Sequence, residues 1–154
     1  MSAVFHRHQQ ITMKARPNRS STILADPQYI IATYTLDKDW ISPLTLLDDT
    51  TKKFLPLGFV VAYNPATGKV VPNYTSYGFG AVGVIKYDAD CGNANVNYDA
   101  IVDVVWRGEV LETHCWDNGT YGEVLDATKA ALSERIAFVK TTRITNFHGG
   151  EWES

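Results

Sequence analysis

The sequence predicts a mainly β domain with one short helix, an α+β fold built on an antiparallel sheet or barrel behind an extended N-terminal arm. Three observations carry that expectation. Runs rich in β-branched and aromatic residues recur between Gly, Pro and Asn turn signals. The hydrophobic period changes to a helical one only once, after Gly119. The first 27 residues hold scattered apolar side chains with no sustained period.

Residues 1–27 are therefore expected to be a flexible arm. They carry Arg7, Lys14, Arg16 and Arg19 against Asp26 alone, a balance of +3, whereas the other residues hold 10 basic and 16 acidic side chains, a balance of −6. A basic arm on an acidic body points to an acidic partner, and a merely solvated terminus is the alternative. A β-rich domain is expected over residues 28–142, followed by a tail over 143–154.

Within the domain, "YIIATYT" (Tyr29 to Thr35) reads as the first strand, and "FLPLGFVVAY" (Phe54 to Tyr63) as another. Pro56 cannot donate to a ladder, so it is expected at the start of that strand or on an edge. "NPATGK" supplies turn chemistry and "VVP" returns, which makes a hairpin. In "YGFGAVGVIKYD" the glycines Gly78, Gly80 and Gly83 mark bulges or close backbone approach. "AIVDVVWRGEVLETHCW" reads as two strands with a break near Gly108. In the first, Val102, Val104 and Trp106 share one face, and Ile101, Asp103, Val105 and Arg107 the other. A helix is expected near residues 121–135, with Thr120 and Glu123 as a capping box and with Leu125, Thr128, Leu132 and Ile136 along one side. "AFVK" is a candidate return to the sheet.

The apolar content of 45% and charged content of 20% suit one globular domain. The arm lacks the apolar stretch of a signal peptide, so synthesis in the cytoplasm is the default expectation, and three Asn-x-Ser/Thr matches at Asn18, Asn73 and Asn118 read as chance. Cys91 and Cys115 form neither a disulfide framework nor a zinc pattern.

His114 beside Cys115 is the one pairing that resembles a nucleophile with its base. If Val110 to Trp116 is a strand, the two point to opposite faces and cannot act together. Cys115 then reads as a core residue, and His114 with Glu112 as an exposed polar patch. His6 and His8 lack further ligands nearby, so no metal site is expected. The acidic pairs Asp37/Asp39, Asp48/Asp49 and Asp88/Asp90 lack the spacing of a calcium loop. No nucleophile elbow, zinc-protease helix or phosphate loop motif occurs, so neither catalysis nor a cofactor is expected.

The order of motifs carries more than any one of them. "LGFVVAYNPATGKVVP", then "AVGVI", an acidic loop, "VVWRGEV" and a helix ending in "ALSERIAFV" form one pattern over roughly residues 54–139. It resembles the lambda-like head decoration proteins of tailed phages, which have the β-tulip fold. The resemblance implies a homotrimeric structural protein on the outer surface of a virion, made in the host cytoplasm. It implies binding to the major capsid protein of an expanded head, clamping adjacent subunits, with no nucleic-acid or membrane partner. It also implies an N-terminal arm that orders on binding. The candidate capsid-binding residues are Val4, Phe5, Arg7, Ile11, Met13, Lys14, Arg16, Arg19, Ile23 and Leu24. The long arm, the tail and "LDKDWISPLTLLDDTTKKF" between the first two strands depart from compact members. Two other readings stay open. A virion-surface ligand- or glycan-binding β domain would use the four tryptophans and eight tyrosines, and a small trimeric β enzyme would build its site between subunits.

Overall fold

The computed structural model describes residues 23–41 and 51–140. Ten strands and one helix follow in order. They are β1 (Ile30–Leu36), β2 (Lys52–Leu55), β3 (Val60–Asn64), β4 (Lys69–Pro72), β5 (Gly80–Ile85), β6 (Ala89–Asn93), β7 (Ala100–Leu111), β8 (Trp116–Asp117), β9 (Thr120–Tyr121), α1 (Asp126–Leu132) and β10 (Ile136–Val139). Strands β1, β4, β3, β5 and β7 are neighbours in that order, and β7 pairs back to β1, so five strands close a barrel. The mainly β fold with one helix expected from the sequence is the one found, with two parallel pairings in its sheet, while residues 1–22 of the expected arm lie outside the described residues.

Closure is uneven around the ring. The β1–β7 ladder runs antiparallel from Ile30 opposite Arg107 to Leu36 opposite Ala100. The β1–β4 seam is parallel and rests on Leu36 opposite Val70, extended by the Asp37 N–H donating to the Val70 carbonyl at 2.9 Å. Beside the barrel, β2 pairs with β6 and β8 with β9 in two small antiparallel sheets.

Adjacent residues on a strand point to opposite faces, yet Val60 and Val61, Val84 and Ile85, and Val104 and Val105 are all fully buried. Both faces of the wall are therefore covered. Val61, Ile85 and Val104 belong to the interior cluster with Leu36, Phe59 and Val70. Val60, Val84 and Val105 belong to a second, outer cluster with Val110, Leu132 and Ile136. Helix α1 and β10 supply that outer cover, as does Ile23 at 0% exposure.

Four elements differ from the sequence expectation. The run Phe54 to Tyr63 is two strands rather than one, because Gly58 turns the chain at φ 92°. Pro56 stands just past the end of β2. A Cβ on Gly58 would sit 2.2 Å from the His114 carbonyl oxygen, so the backbone of residues 58–59 lies against the segment that leads into β8. In place of a break at Gly108, β7 runs unbroken for 12 residues and changes partners there. Residues up to Arg107 pair with β1, and Gly108 to Leu111 pair with β10. Trp106 is the extra residue of a bulge, since Ile30 faces Arg107 and Ile31 faces Val105.

The helix spans only Asp126–Leu132, and the capping box does not form. Thr120 belongs to β9, across a tight turn in which Asn118 and Gly119 have φ of 50° and 81°. Two positive φ values in a two-residue turn are what an Asn-Gly hairpin demands, and a hairpin residue cannot also cap a helix. Lastly, part of the expected arm is built into the domain. The Leu111 N–H donates to the Ile23 carbonyl and the Ala25 N–H to the Glu109 carbonyl, both at 2.9 Å, and Leu24 bridges Val110.

Three expectations hold. The β3–β4 hairpin lies where "NPATGK" places it, residues 136–139 return to the sheet, and Gly83 is a close approach. A Cβ at Gly83 would lie 2.3 Å from the Val105 carbonyl oxygen, whereas one at Gly80 on the same strand meets nothing within 4 Å. Gly83→Ala is therefore expected to lower stability by about 1–3 kcal/mol, the usual cost of overpacking. Gly80→Ala should be neutral or slightly stabilising, since alanine restricts the unfolded chain more. Thermal melts of the two variants check this, and equal melts would contradict the close approach.

Candidate functional site

The stretch Leu111 to Asp117 is not a strand, so the alternation assumed from sequence does not apply. β7 ends at Leu111, a 3-10 turn spans Glu112–His114, and β8 begins at Trp116. Cys115 is nevertheless fully buried, inside the outer cluster, with its Sγ 3.3 Å from the Leu111 carbonyl oxygen. Burial, reinforced by the charges of Glu112 and Asp117, pushes its thiol well up. A thiolate is the reactive form, so this is the setting of an inert core cysteine. Burial likewise pushes the Cys91 thiol up to about 12. The His114 ring lies 3.4 Å from the Tyr121 hydroxyl.

Glu112 corrects the sequence reading most sharply. It is not part of an exposed patch but 3% exposed, and its carboxylate holds three elements together. It accepts from the Val124 N–H at 3.0 Å, and pairs with Lys129 of α1 at 2.9 Å and with Lys140 after β10 at 3.4 Å. Burial pushes the carboxyl up, but the Val124 N–H and the two ammonium groups outweigh it and hold it below the usual range.

Asp117, at 1% exposure, does similar work one step along. One oxygen accepts from the Asn73 side-chain amide at 2.7 Å and the other from the Leu125 N–H at 3.0 Å, where α1 begins. Asn73 also reaches the Thr128 hydroxyl at 3.3 Å. The polar centre beneath the helix is thus satisfied internally, as buried polar groups must be. Thr128 faces inward as expected, whereas Leu125 is 37% exposed.

The remaining acidic pairs have local partners. Asp37 accepts from the Asp39 N–H and caps a 3-10 turn, and Asp39 pairs with Lys38. Asp88 accepts from the Leu57 N–H, and Asp90 from the Gly92 N–H while pairing with Lys52. Asp48 and Asp49 lie outside the described residues, as do His6 and His8. Among the described residues, no group of three or more His, Cys, Asp or Glu side chains is arranged to hold a metal ion.

Of the ten candidate capsid-binding residues, Val4, Phe5, Arg7, Ile11, Met13, Lys14, Arg16 and Arg19 lie outside the described residues. Ile23 and Leu24 are placed, and Ile23 is core rather than free anchor. The aromatic side chains divide. Phe59 stacks on Trp116 with ring centroids 5.8 Å apart inside the barrel. Trp40 packs edge-on against Tyr77 at 4.8 Å and Phe79 at 5.4 Å, in a half-buried cluster on the surface.

Fold and polar centre together define a mainly β protein, a closed five-stranded barrel with a helix clamped to its outside by buried carboxylates. Comparison with protein-family models, with curated proteins and with solved structures finds no match. No helix among the described residues is long and apolar enough to cross a membrane.

Two outcomes are expected. Both thiols should resist alkylation in the native protein and react on unfolding, and Cys115→Ser should cost roughly 1–3 kcal/mol, as burying a hydroxyl does. Fast labelling of native Cys115 would contradict its burial. For Glu112, whose folded value is depressed, the stabilising contribution is fully present above the unfolded value of 4.5 and is lost as pH falls through the lower folded value. Glu112→Gln should therefore be less stable at neutral pH, with the difference from the parent shrinking under acid. Urea midpoints from about pH 7 to about pH 3 measure it, and a pH-independent difference would show that the ion pairs contribute little.

Proposed function

We propose that this chain is a structural decoration, or cement, protein of a phage capsid and not an enzyme. It binds the outside of an expanded head as a homotrimer and clamps adjacent major capsid subunits, with its basic arm reaching the shell. The observation that carries this reading is the placement of the motif order. The motifs of residues 54–139 fall in order on the end of β2, the β3–β4 hairpin, β5, β7, α1 and β10, with β6, β8 and β9 between them. A second support is chemical. Cys115 is a buried core thiol, and the Glu112, Asp117 and Asn73 side chains are engaged in fastening the helix to the barrel.

In this reading the arm adds main-chain hydrogen bonds and apolar anchors at the shell, while Arg7, Lys14, Arg16 and Arg19 steer the encounter. Trimerisation multiplies a weak single contact because the second and third arms bind intramolecularly. Because Ile23 is core, the arm in this sense ends at Thr22.

The test is the copy number of the protein in purified virions, with the symmetry of bound particles. Hundreds of copies at three-fold positions are expected. A few copies per particle would favour an adhesion or ligand-binding role, and a stable dimer with two-fold contacts would count against the decoration reading. Removal of residues 1–22 should leave the melting transition unchanged and weaken capsid binding strongly. Binding of the truncated protein at full affinity would move the clamp to the barrel.

A further inference from the structure

The basic side chains single out one place on the surface. Nine lie among the described residues. Five of them pair with carboxylates. Lys53 and Arg135 donate to backbone carbonyls, and Lys86 donates to the Tyr87 hydroxyl. Arg107 alone has no hydrogen-bonding partner among the described residues. Its exposed guanidinium lies 5.9 Å from the centroid of the Trp106 ring.

Arg107 stands on the wall of an open groove of about 500 Å³, formed with Pro27, Gln28, Tyr29 and Ile30. Tyr29 is 41% and Ile30 50% exposed, so the groove offers apolar surface directly beside the exposed Arg107 cation. Lys86 adds a second cation, 5.5 Å from the Tyr29 ring centroid. The shape is built rather than incidental. The bulge at Trp106 sets Arg107 opposite Ile30. Gly108, at φ 148°, lets the chain at residues 28–29 cross closely, since a Cβ there would lie 3.0 Å from the Tyr29 Cβ. The Gln28 N–H donates to Asp26 at 2.8 Å, and the Ala25 N–H fixes the approach through the Glu109 carbonyl.

We propose that this groove is a docking site for an extended segment of a partner protein that presents a carboxylate beside an aliphatic side chain. Charge complementarity commits the site to that occupant. A guanidinium fork matches a carboxylate bidentately, and the Tyr29 and Ile30 side chains accept the apolar neighbour. The backbone hydrogen bonds that hold residues 25–28 lower the cost of ordering the site itself on binding. The site stands independently of the capsid reading, because it rests on this groove alone.

The experiment uses the full chain, labelled with nitrogen-15, and a blocked peptide, acetyl-Gly-Leu-Asp-Leu-Gly-amide, with its Asp-to-Asn counterpart and inorganic phosphate as comparisons. Backbone shifts are expected at Gln28, Tyr29 and Ile30, with a shift of the Arg107 side-chain Nε. The Asn peptide should bind about five-fold more weakly, the upper range for one exposed ion pair. Arg107→Gln should reduce the Asp peptide to the level of the Asn peptide. Ile30→Ser should weaken both peptides equally, and as both residues are exposed the variants should melt as the parent does. Equal binding of the two peptides, or no shifts up to about 20 mM peptide, would overturn the proposal. Phosphate moving the same resonances as strongly would reduce the site to an anion contact and overturn the peptide assignment. Shifts at the groove that depend on protein concentration alone would assign it to a second copy instead.

Discussion

A strand whose consecutive side chains are both buried needs cover on both of its faces, and that constraint governs this domain. Val60 and Val61, Val84 and Ile85, and Val104 and Val105 meet it on three neighbouring strands. Closing the ring supplies the inner cover and removes most strand edges at the same time. The outer cover has to come from elsewhere in the chain, and it comes from α1, β10 and Ile23. A seven-residue helix is too short to be stable by itself, so its presence depends on that packing.

Fastening such a helix is a polar problem. Leu125 at the cap position has no side chain to receive the first-turn N–H groups, so the fastening falls on the residues just ahead of the helix. Asp117 and Glu112 reach in from the β7–β8 region and accept from the Leu125 and Val124 N–H groups. Each buried carboxylate would be costly alone, but each has several donors, and Glu112 also has two lysines from the elements it fastens. Removing one partner leaves a buried charge exposed to the full desolvation cost, so the clamp is stringent even where its net contribution to stability is small.

How much of this the sequence disclosed follows from which forces are local. The β-rich character of the chain, the hairpin at Asn64 to Lys69 and the close approach at Gly83 are written in short-range patterns and were legible, whereas the bounds of β2, β3 and β7 and the existence of β6 were not. The valine doublets were legible as strand but not as two-sided burial, because a continuous apolar run has no period to assign faces. Thr120 and Glu123 fit a capping box in spacing, yet Asn118-Gly119 drew Thr120 into a hairpin, and the tighter turn preference won. The Asn-Gly dipeptide was the signal that could have found it. Glu112 was misplaced for a different reason. Its burial depends on Lys129 and Lys140, far along the chain, and no local pattern marks a carboxylate whose partners arrive from other elements. The groove at Arg107 was hidden too, because a one-residue bulge at Trp106 decides which side chain stands beside Ile30.

The same two-sided rule tells where other molecules can approach. Along the outer face of β7, Val105 lies in the outer cluster at 0% exposure, whereas Ile101, four residues earlier on that face, is 71% exposed. The cover therefore ends partway along the strand. Arg107 and Ile30, opposite each other on β7 and β1, are exposed as well, although Val110 farther along β7 is again buried in that cluster. On the helix side α1 already covers the apolar cluster, whereas on the β1–β7 side the Ile30 and Ile101 side chains face water. An isolated exposed isoleucine is ordinary on a protein surface. Ile30 differs because a groove and a guanidinium without a hydrogen-bonding partner among the described residues accompany it, and this conjunction, rather than exposure alone, sets the groove apart.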